Sequence, residues 1–556
     1  MHGNLLERLD ARLRAVDARA FAVAPILAPG AAWDATVVVR DDAFADVGRD
    51  AIADDRDVSA VAPSGPRIVL RYMDDAIAQL GAALEEGAFA GMATDDLLAD
   101  WPPCIVDFCD PNAGKALHVG HLRNIAIGHA LAAALAAGGA AVERWSQIAD
   151  AGRHMGEAMA GWLLFGDGRP PDAAGEKADH VLGRLYARYV REVAPPLDAV
   201  RQEDAAVAHD LVAGDDLAQQ LMARWLAGEP EAVDLWRRVR DWAVAGQDET
   251  LARLGVRFDR AIYDSERVPE IPALVAEGLD AGLLRRRDCG ALVYDTGDES
   301  YPELPLTRPD GFPTQNLRVV AIWLALMREL PGRRLIHFSG DEWRAHRTHV
   351  ERLVRALRPG ATPYPTDYLL HGMVVGDDGP MSSSRGEPLL IDALFEQLLA
   401  APEVQAAAAE GREGATAEDL VAMTLLGCCL DRPTAKRLVI APRRLLDARV
   451  NGGWRLARAW ARAWRSAADG PPDPDPRDPG YRYLVMQSQL HRGQLRAVAA
   501  KLDTYILMRY LAILADWYLG TPQSPRVDRL MRQILGKGLS ALGLLRTAAM
   551  RQPIAI

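Results

Sequence analysis

An α/β fold is predicted: a doubly wound parallel sheet that carries a small N-terminal α+β appendage and a C-terminal α-helical bundle. Three observations predict it. From Cys104 onward, short β-branched runs alternate with helical stretches, the pattern that a parallel sheet with crossover helices requires. The first hundred residues carry strand and helix signals without a periodic repeat. Beyond about residue 400 the strand signals stop and helical stretches follow one another. A chain of 556 residues has room for roughly three or four domains, and 49% hydrophobic residues supply ample core. The divisions fall at 1–100, at 101–400 with a helical insertion at about 160–260, and at 401–556.

In order, an opening helix (Leu5–Val16) leads to the alternating stretch Ala35–Arg40. Residues 64–80, SGPRIVLRYMDDAIAQL, read as a turn, a strand and a helix capped near Asp74 or Asp75. Trp101-Pro102-Pro103 marks a boundary, and Ile105 and Val106 begin a strand. That strand passes through a Pro-Asn-Ala-Gly turn into an alanine-rich helix. A second strand and a loop with Asp150 and Gly152 lie in 140–159. The insertion is mostly helical, with a polar loop at 166–177 and a long amphipathic helix within 228–259 that ends at Gly255. Strands return at 289–296 and at 367–375, and 335–346 reads as a strand followed by a polar loop. A polar, glycine-containing loop occupies 377–395, and the Pro-rich 470–480 reads only as a loop.

Chemistry concentrates in CIVDFCDPNAGKALHVGHLRN (104–124). His118 and His121 stand three residues apart, which on a helix opening puts both imidazoles on one face. Gly120, between them, has no side chain. A helix N-terminus with two imidazole donors suits phosphate, and a bare backbone position admits a base. Lys115 adds a point charge just ahead. A plain strand–turn–helix with two surface histidines fits the same residues equally well, so the decision rests with the rest of the chain.

Five cysteines form no CxxC pair and no Cys/His cluster at zinc spacing, which argues against a disulfide framework or a structural metal and fits a reducing compartment. The N-terminal residues lack the apolar core of a signal peptide and are too acidic for a transit peptide. The apolar run 126–142, mostly Ala and Gly with His129, falls short of a membrane span. A cytoplasmic protein without membrane contact is expected. The net charge of −12 is unevenly spread: from Asp431 onward 22 Lys and Arg face 9 Asp and Glu, so the tail is near +13 and the remainder near −25. Such asymmetry points to an anionic partner for the tail. There, WRLARAWARAWR (454–465) sets Arg455, Arg458, Arg462 and Arg465 on one helical stripe with tryptophans interleaved. That suits RNA through phosphate contacts and base stacking; a helix with core tryptophans and solvated arginines fits as well.

Taken together, these motifs resemble the class I arginyl-tRNA synthetases over nearly the whole chain. DFCDPNAGKALHVGHLRN looks like that family's HIGH segment, SQIADAGRHMG (146–156) like its GDWGxQFG loop, and HGMVVGDDGPMSSSRG (371–386) like its adenine strand and KMSKS loop. YLAILADWYL and RQILGKGLSALGLL are similar to its anticodon-binding helices. The resemblance implies a Rossmann-like catalytic domain and a two-step reaction. An amino acid and ATP give an aminoacyl-adenylate and pyrophosphate, and the acyl group then passes to tRNA. It further implies that His118, His121, Lys115 and Arg385 serve catalysis. ATP would be held by Gly120, Asp341, His371, Gly372, Met373, Val374, Met381, Ser382 and Ser383, with Mg²⁺ accompanying it rather than occupying a protein cage. The amino acid would meet Asp107, Asp110, Asn112, Asp150, Gln315, Val319 and Glu342, and the tail arginines would meet tRNA. A monomer with tRNA and arginine as partners is the default.

Two departures stand out. The signature loop reads Pro380-Met381-Ser382-Ser383-Ser384, without either KMSKS lysine, so Arg385 and Lys115 are the compensating charges. Where the family has Tyr-Leu-Thr-Arg-Asp, this chain has Gln315-Asn316-Leu317-Arg318-Val319, so the aspartate that faces the substrate guanidinium is Val319. Two alternatives therefore stay open beside an arginine–tRNA ligase. One is a paralogue that activates a different or modified amino acid for transfer to tRNA or a small amine. The other is a non-catalytic RNA-binding paralogue.

Overall fold

The computed structural model describes residues 4–546 apart from 18, 27–30, 88, 90–91, 195–215, 362–366, 377–378, 381–388, 466–474, 476 and 523. The N-terminal unit is an antiparallel sheet of β1 (Phe21–Pro25), β2 (Ala35–Val39), β3 (Val58–Pro63) and β4 (Arg67–Tyr72), in the order β1-β2-β4-β3. The helix Leu5–Val16 forms as its spacing predicts, with the Asn4 side chain accepting from the Glu7 N–H at 3.1 Å. The helix Asp74–Glu85 differs in its cap: Met73 stands at the capping position without a side-chain bond. Asp74 and Asp75 lie instead in the first turn, where carboxylates favour the helix dipole.

The central sheet is parallel throughout. It contains β5 (Cys104–Asp107), β6 (Val142–Ile148) and β7 (Arg260–Tyr263), and later β11 (Arg334–Gly340) and β12 (Asp367–His371). The order is β12-β11-β5-β6-β7. The chain leaves β5 toward β6 on one side and returns to β11 on the other, so the switch point lies at the carboxyl end of β5, where such sheets open a crevice. Between β7 and β11, a small antiparallel sheet is built from β8 (Leu284–Arg286), β9 (Leu292–Asp295) and β10 (Glu303–Pro305). β5 is buried along its whole length, and the helix Val119–Ala137 packs flush on it because a Cβ at Gly128 would strike the Phe108 ring.

Three expectations change. The stretch 367–375 is two strands rather than one: β12 ends at His371, and β13 (Val374–Gly376) joins a separate sheet with β14 (Gly379–Pro380) and β15 (Leu438–Val439). The break falls at Gly372, whose N–H donates to Thr434 O at 3.1 Å and whose missing Cβ would stand 2.5 Å from the Lys436 carbonyl carbon. After β11 the chain takes a short 3₁₀ turn (Asp341–Trp343) and then the helix Arg344–Leu357, because Val350, Leu353, Val354 and Leu357 make a buried apolar face. The Pro-rich stretch does not end as a loop. Asp478 caps, and Pro479 opens, the helix Pro479–Ser488, a position where the missing N–H of proline costs nothing.

The insertion packs the helices Arg153–Phe165, Ala178–Glu192, Leu217–Leu226 and Pro230–Leu254 around Met159, Leu182, Tyr189 and Met222. The last of these helices ends on Gly255 at φ 77°, the left-handed stop that the sequence predicts. Apart from β15 the described tail elements are helical, and the N-terminal sheet docks on them: buried Arg482 donates to both Asp34 oxygens, to Asp74 Oδ1 and to the Tyr72 carbonyl. Among the described residues no helix is long and apolar enough to cross a membrane.

Candidate functional site

At the carboxyl end of β5 the chain turns sharply, with Cys109 at φ 84° and Asp110 at φ 47°. Both values lie in the left-handed region that side chains with a Cβ seldom adopt, so the turn is held by its surroundings. Asn124 does the holding: its Oδ1 accepts from the Cys109 N–H at 2.7 Å and its Nδ2 donates to Phe338 O at 3.2 Å, bracing β5 against β11.

His118 is the capping residue of the helix Val119–Ala137 rather than a member of its face. The Gly120 N–H donates to His118 Nδ1 at 3.1 Å, and the His118 N–H donates to His121 Nδ1 at 3.2 Å. This is a capping box built from two histidines, at the spacing that boxes of Ser or Thr with Glu or Gln use. Because each Nδ1 accepts, each ring carries its proton on Nε2. The ring centroids lie 4.1 Å apart. Burial, with Lys115 nearby, depresses both imidazoles, His118 to about 4. Two neutral Nε2–H donors thus stand side by side at a helix N-terminus. Gly120 permits this, since a Cβ there would lie 2.7 Å from His118 Cε1. Lys115 Nζ lies 4.3 Å over the Tyr186 ring, and burial lowers its pKa while Glu157 opposes the shift.

The carboxyl ends of β5 and β11 carry an acid–base cluster that the sequence shows only in part. Asp107 Oδ2 meets His337 Nδ1 at 2.7 Å and accepts from Gln147 Nε2; His337 Nε2 is 3.5 Å from Asp110 Oδ2. Tyr368 stacks on His337 at 5.3 Å. Burial pushes both carboxyls up to about 7, and His337 down to about 4. One atom each of Asp107, Asp110 and His337 lies within 4.8 Å of the others, a spacing that a metal ion can use. Burial leaves both carboxyls partly protonated near neutrality, so the cluster reads as a proton-sharing site. Gln147, His337 and Tyr368 went unnoticed in the sequence. The one signal was a histidine in the otherwise apolar strand LIHF.

The remaining expected residues divide. Asn112 lies on the crevice rim, its carbonyl accepting from Gln247 Nε2 at 2.8 Å. Exposed Asp341 follows β11 and accepts from Arg344 Nε at 3.1 Å. The Glu342 carboxyl lies against Gly340. His371 is buried at the end of β12, with Gly372, exposed Met373 and Val374 leading into β13. Asp150 is fully buried, and its oxygens accept from the Ser265 N–H at 2.8 Å and Oγ–H at 2.7 Å, bracing β6 to the segment after β7. Gln315 opens the helix Gln315–Glu329 and is partly exposed, whereas Val319 is 3% exposed in the core with Ile105, Trp145 and Leu335. Met381, Ser382, Ser383 and Arg385 lie outside the described residues.

The tail helix Gly452–Ala463 separates its arginines. Arg455 donates to Ala448 O at 2.8 Å, and Arg462 to Leu519 O at 2.8 Å and Thr521 O at 2.6 Å, so both tie loops together. Arg458 and Arg465 are exposed, and with Arg462 they line a cleft of about 190 Å³. Trp454 and Trp460 are buried, which removes them from any stacking surface.

Residues 98–406, more than half of the chain, match the family described as tRNA synthetases class I (R), catalytic domain. The chain belongs to this family. Arginine–tRNA ligases of Bacteroides thetaiotaomicron and Bacteroides fragilis are 28% and 29% identical to it, over 65% of this chain and 62% of each relative. The match thus spans less than two thirds of those relatives' length. In fold, this class I (R) synthetase-family chain is similar to the arginyl-tRNA synthetase of Thermus thermophilus, with a TM-score of 0.67 over 98% of this chain and 99% of that one, at 20% identity. It is also similar to that of Plasmodium falciparum, at a TM-score of 0.62 over 98% and 97% and 13% identity.

Proposed function

We propose that this chain activates an amino acid with ATP and transfers the acyl group to tRNA, as an arginine–tRNA ligase does. The observation that carries the reading is the pair of neutral Nε2–H donors of His118 and His121 at the N-terminus of the helix that follows β5. In the first step a carboxylate oxygen attacks the α-phosphate, the bond to pyrophosphate breaks, and charge builds on phosphate oxygens. Catalysis is then mainly positioning and preorganised electrostatics. The two Nε2–H groups meet that charge, and Lys115 adds a cation where the loop at 380–384 has none. Asp110 and Asn112 take the α-ammonium, Asp341 takes the ribose hydroxyls, and the backbone of 371–374 reads the adenine. Mg²⁺ accompanies ATP. The basic tail, through exposed Arg458 and Arg465, meets the tRNA.

A second reading has the same activation step acting on an amino acid other than arginine. The burial of Val319 in the apolar core favours it, because no carboxylate stands at that position. The test is ATP–pyrophosphate exchange over a panel of amino acids, with and without total tRNA. Exchange with any one of them supports activation. No exchange in either arm, with tRNA binding retained, overturns it in favour of an RNA-binding protein without activity.

A further inference from the structure

The helix of the histidine pair and the break between β12 and β13 meet at one carbonyl. Thr434 O accepts from the Gly372 N–H at 3.1 Å and from Arg123 Nη2 at 3.0 Å. The same Arg123 nitrogen donates to Pro433 O at 3.1 Å. Arg123 lies in the helix Val119–Ala137, two residues past His121 and so about 3 Å further along the axis. Its neighbour Asn124 ties the same turn of helix to Cys109 and Phe338. Beyond Thr434 the chain pairs with β13: the Leu438 N–H donates to Met373 O at 3.0 Å and the Ile440 N–H to Val375 O at 2.9 Å. A short path of hydrogen bonds thus leads from the histidine helix to the backbone of 371–374.

Arg123 is a costly side chain for its place. It is fully buried, and both of its hydrogen bonds among the described residues end on backbone carbonyls. Its Nε and Nη1 have no hydrogen-bond partner among the described residues, a rare condition for a buried donor. An apolar side chain of similar length fills such a volume at lower cost. It offers nothing to Pro433 O and Thr434 O, however, whereas a cationic donor clamps both.

The base and the phosphates of ATP lie at opposite ends of the molecule. Two anchors gain from being bridged by one ligand only when their separation matches it. We infer that Arg123 is a positioning residue of the activation reaction proposed above. Its clamp on Pro433 O and Thr434 O fixes the distance between the histidine pair and the backbone of 371–374, so that one ATP molecule engages both. The inference rests on that reading of where ATP lies. Arg123 has no exposed surface of its own and acts through these groups.

The experiment is ATP–pyrophosphate exchange by the full chain, with total tRNA and whichever amino acid of the panel supports it. Adenosine and tripolyphosphate, as competitive inhibitors, each report one anchor alone. In the natural chain KM for ATP should lie at least about tenfold below either inhibition constant. Arg123→Met, which keeps length without a donor, is expected to lower kcat/KM for ATP by about tenfold or more, with both inhibition constants within about twofold. Loss of one anchor alone would not give that split. Arg123→Lys, whose single nitrogen can donate to both carbonyls as Nη2 does, should return to within about threefold of the natural chain. Three results overturn the inference: an Arg123→Met variant as efficient as the natural chain, fragment affinity lost in step with that for ATP, or Arg123→Lys no better than Arg123→Met. If Arg123→Met fails to fold, the natural chain still decides, since ATP held no tighter than its fragments means that the anchors do not act together. Absence of exchange with every amino acid removes the activation reading, and the inference with it.

Discussion

The ammonium of Lys115 stands 4.3 Å above the ring of Tyr186, so the helical insertion holds the cation that lies next to the histidine pair. Tyr186 is anchored in turn, since Glu157 interacts with its hydroxyl and pairs with Arg153 at 3.0 Å. A cation over an aromatic face is worth about 0.5–2 kcal/mol when desolvated. Tyr186→Leu is therefore expected to lower the exchange rate by about tenfold with little change in KM for ATP, while Tyr186→Phe, which keeps the ring, stays near the natural rate. A leucine variant as fast as the natural chain would remove Tyr186 from this role.

In the proposed reaction His121 supplies a donor, and in the fold it completes the cap of its helix. Removing one preorganised donor typically costs about 10²–10³ in turnover. His121→Ala is expected to lose two or more orders of magnitude in exchange while tRNA affinity, measured by filter binding, stays within about threefold. His118→Ala loses the capping bond as well, so its unfolding midpoint should fall by the equivalent of about 1 kcal/mol. Equal thermal stability in that variant would argue against the cap.

Asp107 and Asp110 are each pushed up to about 7 by burial, and near neutrality they share protons. A substrate ammonium needs an ionised partner, so amino-acid KM in exchange should fall as pH rises through about 7. Asp110→Asn should flatten that limb. The stability sign is opposite. Between about pH 4 and 7 the folded chain binds more protons here than the unfolded one, so the pair costs stability as pH rises across that window. A KM that is flat from pH 6 to 8 in the natural chain contradicts the assignment.

Asp392 joins the insertion to the helix Ile391–Leu399. Its carboxylate meets Lys177 Nζ at 2.7 Å, His180 Nε2 at 3.0 Å and Thr250 Oγ at 2.8 Å. One strand-like contact lies beside it: the Val119 N–H donates to Leu389 O at 2.9 Å and the Ile391 N–H to Leu117 O at 3.1 Å, so the chain after 381–388 is stitched to the histidine segment. The hydrogen bonds and cations hold Asp392 well below the usual carboxylate range despite its burial. Its contribution is thus complete above the unfolded pKa, near 4, and declines as pH falls further. Asp392→Ala should cost about 3–5 kcal/mol in urea unfolding at pH 7, as breaking a buried pair does, and the deficit should shrink below about pH 4. A deficit independent of pH would assign the loss to packing alone.

Local features were legible in the sequence, and features made by distant partners were not. The strand at Cys104, the glycine stop at 255 and the approach of His118 to His121 depend on neighbours a few residues away, which periodicity and capping chemistry report. Even there, the histidine pair was read as two residues on one helix face, whereas a capping box makes it. Asp150 looked like a pocket residue because its loop has the right residue types. Its hydrogen-bond partner Ser265 lies 115 positions away, which no local pattern reports. Trp454 and Trp460 looked like candidate stacking surfaces, because a basic helix with tryptophans does not say which face the bundle covers.

By itself, the sequence determined that this is an alternating α/β chain with a basic helical tail, and that a helix opening with two histidines follows its first sheet strand. Short-range backbone chemistry and composition suffice for that. Only the tertiary structure decided what faces the crevice. His337 meets Asp107 across 230 positions, and Tyr368 of β12 stacks on the same histidine. Val319, one residue beyond Arg318 on its helix, goes into the core instead. Which charges share a buried volume is set by how strands and helices pack.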